Sequence, residues 1–206
     1  MTVEAVIFDI GNVLIEWQPE RYYDRVIGEA RRREMFAAVD LHFMNDLVDR
    51  GHDFRGTVYD TALRHPGWEA EIRMWHDDWL KLAGPEIPRS IRLLRALRAR
   101  GVPVFALSNF GIGSFDVAVP AYPFLDEFDR RYISGHMAMA KPDAEIYAAV
   151  EADCGLPPGG LLFADDRADN IATARARGWQ THLFTTPERF AELLVSKGLL
   201  TEAEAA

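Results

Sequence analysis

Short apolar runs alternate with amphipathic stretches along most of this chain. Val3–Phe8 is β-branched and mostly apolar, which is typical of a strand buried on both faces. Arg89–Arg100 instead carries apolar residues at helical spacing, and it ends at Gly101, a residue type that commonly closes a helix. The same patterns predict strands over Val102–Leu107, Tyr132–Ser134, Leu161–Ala164 and Gln180–Phe184, and helices over Pro142–Asp153, Asp169–Arg177 and Pro187–Lys197.

Strands that alternate with helices of about a dozen residues predict an α/β fold, a Rossmann-like parallel sheet with helices on both faces. The stretch from Pro19 to about Pro85 has a different character. It carries many aromatic residues at helical spacing, and no strand is predicted in it; the helical segments are Pro19–Ile27, Phe54–Arg64 and Trp68–Leu82. We therefore expect a core domain over residues 1–17 and 86–206, with an inserted helical cap over residues 18–85.

The composition and net charge of the chain limit the kinds of molecule that we expect it to bind. The chain has 206 residues and a formal net charge of −9, and no basic stripe of the kind that binds a nucleic acid duplex is visible. It contains one cysteine, Cys154, and no run of about eighteen apolar residues that would span a membrane. The chain enters a strand directly, without the features of a signal peptide. We expect a cytoplasmic monomer or homodimer that binds neither nucleic acid nor membrane.

Polar residues follow three of the predicted strands: Asp9 after the first, Ser108 after the second, and Asp165 with Asp166 after a later one. Lys141 lies in a loop that leads into a helix. Taken singly, an aspartate here can cap a helix, a serine can form a turn, and a lysine before proline is usually solvated. Because ligands of such sheets bind beyond the carboxyl ends of the strands, the five residues together predict one crevice.

The charges of these side chains suggest how the crevice works. A phosphate dianion repels a carboxylate nucleophile, so the site must supply positive charge. Mg²⁺ bound by Asp9 and Asp166 would do so, since this cation prefers one or two carboxylates. The Ser108 hydroxyl and the amides that follow it, beginning at Asn109, would hold phosphate oxygens, and Lys141 would add a point charge. Asp9 would then form an aspartyl phosphate that water cleaves.

Four segments, in this order, resemble the four motifs of the haloacid dehalogenase (HAD) superfamily: FDIGNVL, LSN, the KP of Lys141-Pro142, and FADDRADN. The resemblance covers roughly Met1–Trp17 and Ile87–Phe184, and the helical insertion is similar to the small helical cap of the superfamily's first cap class. The form of the first motif and the length of the cap are most similar to the bacterial branch that contains an α-glucose-1-phosphatase.

The resemblance implies a role for each matching residue. It implies Asp9 as nucleophile and metal ligand, the Gly11 carbonyl and Asp166 as further ligands of Mg²⁺, Asp165 as an outer or water-mediated partner of the metal, and Ser108 and Lys141 as phosphate ligands. The implied activity is that of a HAD-type phosphoric monoester hydrolase. It would depend on Mg²⁺ and hydrolyse a small phosphorylated metabolite.

Gly11 departs from the pattern of the related phosphatases. These enzymes usually carry a second aspartate two positions after the nucleophile, where it is a general acid to the leaving group and a general base to water. Asn12 cannot replace it, because an amide does not usefully transfer a proton. The acid is missing, supplied from elsewhere, or not needed. We favour a leaving group that departs easily, such as the anomeric oxygen of a sugar 1-phosphate, because a less basic oxygen needs less protonation.

Substrate choice is expected to depend on the cap, since the end of the sheet handles only the phosphate. Asp169 and Asn170 are expected to open the following helix rather than to bind metal. The cap residues that we expect in the crevice are His42, Phe43, Asn45, Trp75, His76 and Trp79.

Two alternatives remain. In a metal-independent 2-haloacid dehalogenase of the same superfamily, Asp9 would displace halide from carbon. Asp165 and Asp166 would then be two unneutralised carboxylates beside an anionic substrate, which is unfavourable. The other alternative is a non-catalytic binding module with the same fold. Gly11 favours it mildly, whereas intact Asp9, Lys141 and Asp166 argue against it.

Overall fold

Seven strands form two sheets in the computed structural model, which describes residues 2–206. The strands are β1 (Ala5–Phe8), β2 (Ile15–Trp17), β3 (Ala83–Glu86), β4 (Val104–Ser108), β5 (Arg130–Ile133), β6 (Leu161–Asp165) and β7 (Gln180–Leu183). Five of them form one parallel sheet in the order β5–β4–β1–β6–β7. This arrangement confirms the predicted α/β fold and places β1, which leads into Asp9, at the centre of the sheet.

Twelve α-helices accompany these strands within residues 2–206. They are α1 (Pro19–Ile27), α2 (Glu29–Ala38), α3 (Leu41–Asp49), α4 (Phe54–Arg64), α5 (Glu69–Asp77), α6 (Trp79–Leu82), α7 (Pro88–Ala99), α8 (Ile112–Ala121), α9 (Ser134–Met137), α10 (Ala144–Cys154), α11 (Ala168–Ala176) and α12 (Pro187–Ser196). Helices α1 to α6 lie between β2 and β3 in the chain, where the cap is predicted. The exact domain boundaries stay a prediction.

The two faces of the sheet follow from the alternation of side chains along each strand. On β1, Val6 and Phe8 pack into one hydrophobic cluster, whereas Ala5 and Ile7 pack into the other, and all four are fully buried. Strands β4 and β6 divide their residues between the same two clusters. Burial on both faces explains why these strands are short, continuous apolar runs in the sequence.

Several boundaries differ from the predicted ones. The strand predicted over Val102–Leu107 begins at Val104, because the N–H of Val102 bonds to Leu97 at the end of α7 and Pro103 has no N–H. The helix predicted over Trp68–Leu82 is interrupted at Asp78, where α5 ends and α6 begins.

The prediction that no strand lies between Pro19 and about Pro85 was wrong, because β3 begins at Ala83. Strand β3 pairs antiparallel with β2, with Ile15 opposite Glu86 and Trp17 opposite Ala83. The AGPE sequence of β3 has little intrinsic preference for a strand, so its partner determines its structure. This small sheet joins both ends of the helical insertion, and it brings Trp17 beside the aromatic residues of the cap.

Candidate active site

The carboxylate of Asp9 lies just beyond the end of β1 and is almost fully buried. Its Oδ1 accepts hydrogen bonds from the Ile10 N–H (2.7 Å) and the Ser108 hydroxyl (2.6 Å), and it lies 3.0 Å from the Lys141 ammonium. Of the hydrogen bonds within residues 2–206, none ends on Oδ2. One oxygen of the predicted nucleophile is therefore held in place by three donors, and the other is available to a ligand.

Lys141 is buried, with 3% of its surface exposed. Its ammonium donates to the Leu107 carbonyl (2.8 Å) and to Asp165 Oδ2 (2.7 Å). Burial alone lowers the pKa of this ammonium, but the charges of Asp165 and Asp9 outweigh that effect and raise the pKa above its ordinary value. Lys141 is therefore not the solvated residue that its sequence context alone suggests, and its charge lies beside Asp9, the predicted nucleophile.

The two adjacent aspartates after β6 have different surroundings. Asp165 is fully buried, and its oxygens accept from Lys141, from the Arg167 N–H (2.8 Å) and twice from the side-chain amide of Asn170 (3.0 and 2.9 Å). Asp166 is only partly buried and accepts from Asn12 Nδ2 (3.0 Å). Burial raises the pKa of the Asp166 carboxyl, and the Asn12 hydrogen bond opposes this rise.

These carboxylates fit a magnesium site. Asp9, Asp165 and Asp166 each offer an oxygen within 4.8 Å of the others. Because Asp165 is already saturated by donors, Asp9 and Asp166 are the pair suited to direct coordination, and two carboxylates are what Mg²⁺ prefers. Asn170 Oδ1 is buried without a hydrogen-bond partner among residues 2–206, and Asn170 lines the cavity that these residues share. An unpaired buried oxygen at this point fits a nearby cation or its water.

Burial raises the pKa of the Asp9 carboxyl to about 7, against the opposing charge of Lys141. The charges of Asp165 and Asp166 add to the rise, whereas the Ser108 hydrogen bond lowers it. Burial therefore outweighs the charge of Lys141, and a cation would relieve the repulsion among the three carboxylates.

The loop after β4 is where the sequence predicts the phosphate cradle. Asn109 Nδ2 donates to the Lys141 carbonyl and Asn109 Oδ1 accepts from the Lys141 N–H, both at 2.8 Å. The Asn109 side chain therefore fixes Lys141 and is not free to bind phosphate. The N–H of Phe110 donates to Ser134 Oγ (2.8 Å). The Ser108 hydroxyl and the Lys141 ammonium both contact Asp9, so a phosphate bound beside Asp9 would lie within reach of these two donors and of the Asn109 N–H.

Gly11 and Asn12 form the turn after the nucleophile. The residue in the left-handed region is Asn12, with φ = 54°, and not Gly11. A Cβ added at Gly11 would meet only Trp17 Cβ, at 3.8 Å, an ordinary contact. Asn12 Oδ1 also accepts from the Trp17 N–H (2.9 Å). Asn12 is therefore the structural residue of this turn, a role that the sequence reasoning did not assign to it.

The cavity over these residues has a volume of about 370 Å³. Of the cap residues expected here, His42, Asn45 and Trp79 line it. The expectation was wrong for three others, for different reasons: Phe43 is mostly exposed, Trp75 is fully buried in the cap, and His76 packs on Phe54. Sequence reasoning missed other residues that line the cavity, or assigned them only to helix capping: Ile10, Ile15, Trp17, Asp46, Asp49, Ala83, Phe110, Ser114, Arg167 and Asn170.

The fold and this constellation agree with a comparison to known families. The family model of the haloacid dehalogenase-like hydrolases matches residues 3–178. The chain therefore belongs to this family of hydrolases, as the four motifs predict; its place in a particular branch stays a prediction.

Curated relatives include both phosphatases and a dehalogenase. The chain is 26% identical to a sesquiterpene phosphatase from Aspergillus oryzae, over 86% of this chain and 87% of that protein. It is 30% identical to an (S)-2-haloacid dehalogenase from Pseudomonas sp. (strain YL), over 69% of this chain and 63% of that protein. A drimenol cyclase from Aspergillus calidoustus is 26% identical over 88% of this chain, but the chain spans only 34% of that protein's length.

Among solved structures, a HAD family enzyme from Bacteroides thetaiotaomicron is similar over almost its whole length. It has a TM-score of 0.79 and 25% identity, over 94% of this chain and 99% of that one. The same enzyme in complex with magnesium and inorganic phosphate has a TM-score of 0.75 and 23% identity, over 93% of this chain and 98% of that one. Within residues 2–206, none of the helices combines the length and the apolar character needed to cross a membrane.

Proposed function

We propose that this protein is a Mg²⁺-dependent phosphatase that hydrolyses a small phosphate monoester through an aspartyl phosphate at Asp9. The observation that carries the proposal is the contact of Asp9 with both the Ser108 hydroxyl (2.6 Å) and the Lys141 ammonium (3.0 Å), in a cavity that Asp166 also lines. The similarity to a sesquiterpene phosphatase and to an enzyme solved with magnesium and phosphate supports the same chemistry.

Ser108 and Lys141 would bind the phosphate group. Both donors contact the nucleophile, so a phosphate that they hold has its phosphorus beside the Asp9 carboxylate. Positioning of this kind removes much of the entropic cost of the reaction. Mg²⁺ held by Asp9, Asp166 and the Gly11 carbonyl would neutralise the phosphate dianion.

The reaction would proceed in two displacements. The Asp9 carboxylate attacks phosphorus, and the bond from phosphorus to the leaving oxygen breaks, with the electron pair going to that oxygen. Water then attacks the phosphorus of the aspartyl phosphate, and the bond to Asp9 breaks, which regenerates the carboxylate and releases inorganic phosphate. The charge of Lys141 faces the reacting group in both steps and so stabilises both transition states.

The walls of the cavity suit a small polar leaving group. The cap contributes polar side chains from α3, namely Asn45, Asp46 and Asp49, and aromatic side chains of Trp17 and Trp79 lie on another wall. The volume of about 370 Å³ lies near the lower end of the usual range for small-molecule sites. Hydroxyl groups would bond to the polar wall and carbon faces would pack on the rings, so sugar phosphates, and sugar 1-phosphates in particular, are the first substrates to test.

Release of inorganic phosphate from 4-nitrophenyl phosphate and from a panel of sugar phosphates, with Mg²⁺ and with EDTA, tests the proposal. We expect activity with Mg²⁺, loss of it in EDTA, and recovery when Mg²⁺ is added back. Asp9→Asn keeps the shape of the side chain but removes the attacking charge, so kcat should fall by several orders of magnitude. Retained activity in Asp9→Asn, or full activity in EDTA, would contradict the proposed mechanism.

A dehalogenase remains the second candidate because of the pairing of Asp165 with Lys141. This ion pair neutralises one of the two carboxylates that would otherwise repel a haloacid. The 30% identity to an (S)-2-haloacid dehalogenase also supports this second candidate. Asp166 still faces the cavity without a cationic partner among residues 2–206, which favours the phosphatase. Chloride release from (S)-2-chloropropionate in EDTA would identify the dehalogenase.

A further inference from the structure

Four carboxyl groups line the cavity, and three of them have a proposed function or an ion-pair partner. Asp9 is the proposed nucleophile, Asp166 belongs to the metal site, and Asp46 pairs with Arg50 at 3.0 Å. Asp49, at the end of α3, takes part in none of the ion pairs within residues 2–206. It therefore is the carboxyl in the cavity that remains available, on the cap side where the leaving group would lie.

Two side chains fix the orientation of Asp49. Asn45 Nδ2 donates to Asp49 Oδ2 at 2.9 Å, and the indole N–H of Trp75 donates to Asn45 Oδ1 at 3.0 Å. Trp75 is fully buried, so it holds the Asn45 amide in one orientation. A carboxyl positioned through such a chain of hydrogen bonds is preorganised, which is what proton transfer in an active site requires.

The backbone of Asp49 is attached to the phosphate-binding loop. The Ser134 hydroxyl donates to the Asp49 carbonyl at 2.5 Å and accepts from the Phe110 N–H at 2.8 Å. Gly111 lies so close to α3 that an added Cβ would be 2.4 Å from Val48 Cγ1. The end of α3 thus packs directly on the loop that begins at Ser108, and Asp49 is held at a fixed place above the phosphate cradle.

We propose that Asp49 is the general acid and base of the reaction, supplied by the cap in place of the aspartate that related phosphatases carry at the position of Gly11. This inference rests on the proposed phosphatase function. If Asp49 protonates the leaving oxygen, even a strongly basic oxygen can depart. Sugar phosphates other than 1-phosphates are then also expected substrates.

The raised pKa of the Asp49 carboxyl agrees with a role as general acid. Burial raises the pKa of the Asp49 carboxyl to about 8, the charge of Asp46 adds to the rise, and a hydrogen bond from the Gly111 N–H opposes it. Asp9 contributes a smaller rise and Lys141 a smaller decrease. The charged and titratable groups around Asp49 lie on α3 and the elements packed against it: His42, Asp46, Arg50, Asp9, Lys141, Arg55, Tyr59, Asp60, Arg64 and His136. His136, on α9, packs against Phe115.

The proton moves in a cycle that balances. In the first displacement, the Asp49 O–H protonates the leaving oxygen as its bond to phosphorus breaks, which gives an alcohol and leaves Asp49 as a carboxylate. In the second, the Asp49 carboxylate accepts a proton from the attacking water while the bond from phosphorus to Asp9 breaks. Inorganic phosphate leaves, and Asp49 is again protonated for the next turnover.

The test compares Asp49→Asn with the parent enzyme on a series of substituted phenyl phosphates in Mg²⁺. For 4-nitrophenyl phosphate, whose leaving group needs no proton, kcat/KM should change little. For unsubstituted phenyl phosphate it should fall by about 10²-fold or more, the usual contribution of a general acid. The slope of log kcat/KM against leaving-group pKa should therefore be shallow in the parent and steep in the variant. In the parent, kcat/KM for phenyl phosphate should decline at alkaline pH as Asp49 loses its proton. This decline should be absent in Asp49→Asn.

Asp60→Asn is the matched control, since it makes the same chemical change on the neighbouring cap helix α4, at an exposed position outside the cavity. We expect it to keep the shallow slope. Circular dichroism checks that each variant is folded, and Asp49→Ser replaces Asp49→Asn if the latter is not. An unchanged slope in a folded Asp49 variant, or an equal loss for every leaving group, would overturn the acid–base role while leaving the phosphatase intact. A parent enzyme inactive on all phosphates would overturn both.

Discussion

Lys141 is a cation with 3% of its surface exposed, and it contacts two carboxylates and a backbone carbonyl. Such a group is stable in the interior only while its partners remain. The same ammonium that would bind phosphate therefore also neutralises Asp9 and Asp165 in the fold, and a single residue couples stability to activity.

Lys141→Ala should consequently reduce both properties. We expect a loss of about 3–5 kcal/mol in the free energy of unfolding, because two buried carboxylates lose their partner. Any folded fraction should also show a higher KM and a lower kcat. Lys81→Ala is the control, since Lys81 pairs with Asp78 on the surface and its loss should cost about 1 kcal/mol or less. Urea denaturation of both variants measures the difference, and equal stabilities would contradict the buried role of Lys141.

Gly11 and Asn12 offer a second contrast between neighbouring residues. Gly11→Ala should leave the free energy of unfolding within about 0.5 kcal/mol, because its Cβ would make only an ordinary contact. Asn12→Ala should cost about 1–3 kcal/mol, since it combines φ = 54° with loss of the hydrogen bonds to Asp166 and Trp17. Denaturation curves that reverse this order would show that glycine, and not asparagine, is required in the turn.

The raised pKa of Asp49 predicts a dependence of stability on pH. Its folded pKa of about 8 lies above the ordinary carboxyl value of 3.8, so the folded state binds the proton more tightly. The stability that this proton contributes is complete below about pH 4 and is lost as pH rises through 8. Asp49→Asn has no such proton, so its Tm should exceed that of the parent by a few degrees at pH 9. Thermal unfolding should show this difference shrinking toward pH 5.

At the scale of the elements, specific polar contacts attach the C-terminal end of α3 to the core. Ser134, the first residue of α9, joins the carbonyl of Asp49 to the N–H of Phe110. A second link is the ion pair of Arg50 with Asp143, at 2.9 Å. Ser134 of the short helix α9 therefore contacts both the cap and the loop after β4.

Ser134→Ala should destabilise the protein by about 1–3 kcal/mol, because it leaves the Asp49 carbonyl and the Phe110 N–H without this buried partner. It should also lower kcat, since both Asp49 and the loop after Ser108 lose their attachment. Ser196→Ala serves as the control: its hydroxyl donates to Leu193 on the exposed side of α12, so we expect a change within about 0.5 kcal/mol. Chemical denaturation compares the two, and equal losses would argue against the attachment.

The elements that the sequence predicted well are those with their own apolar pattern. Strand β1 and helices α1 and α4 are examples, because side-chain periodicity alone determines which face is buried. Strand β3 could not be predicted, since its structure depends on pairing with β2. The same distinction applies to the site: Asp9, Ser108 and Asp166 lie at strand ends, where the sheet topology brings them together, and Lys141 reaches them from the loop before α10. Asp49 comes from the cap, and sequence spacing gives no measure of how a cap packs on a sheet.

Over the whole molecule, the site is divided between the two parts of the chain. The core contributes the groups that we propose for phosphate and metal, whereas α3 and the small β2–β3 sheet contribute cavity walls that would surround the leaving group. Binding of a substrate would therefore contact both parts at once. The chain has a net charge of −9 and Lys141 is already paired with Asp9 and Asp165, so attraction of a phosphate would depend on the Mg²⁺ that we propose.

The aromatic wall of the cavity gives the protein an optical reporter of its own. Trp17 and Trp79 line the cavity, their rings lie 6.1 Å apart, and Trp79 packs on Phe110 of the phosphate-binding loop at 5.2 Å. Intrinsic fluorescence should therefore change when inorganic phosphate and Mg²⁺ are titrated into the protein. Trp17→Phe should reduce the signal, whereas Trp68→Phe, which lies under Arg31 away from the cavity, should leave it intact. An unaltered signal in Trp17→Phe would mean that the emission change arises elsewhere, and a usable signal would allow occupancy to be followed in real time by stopped-flow mixing.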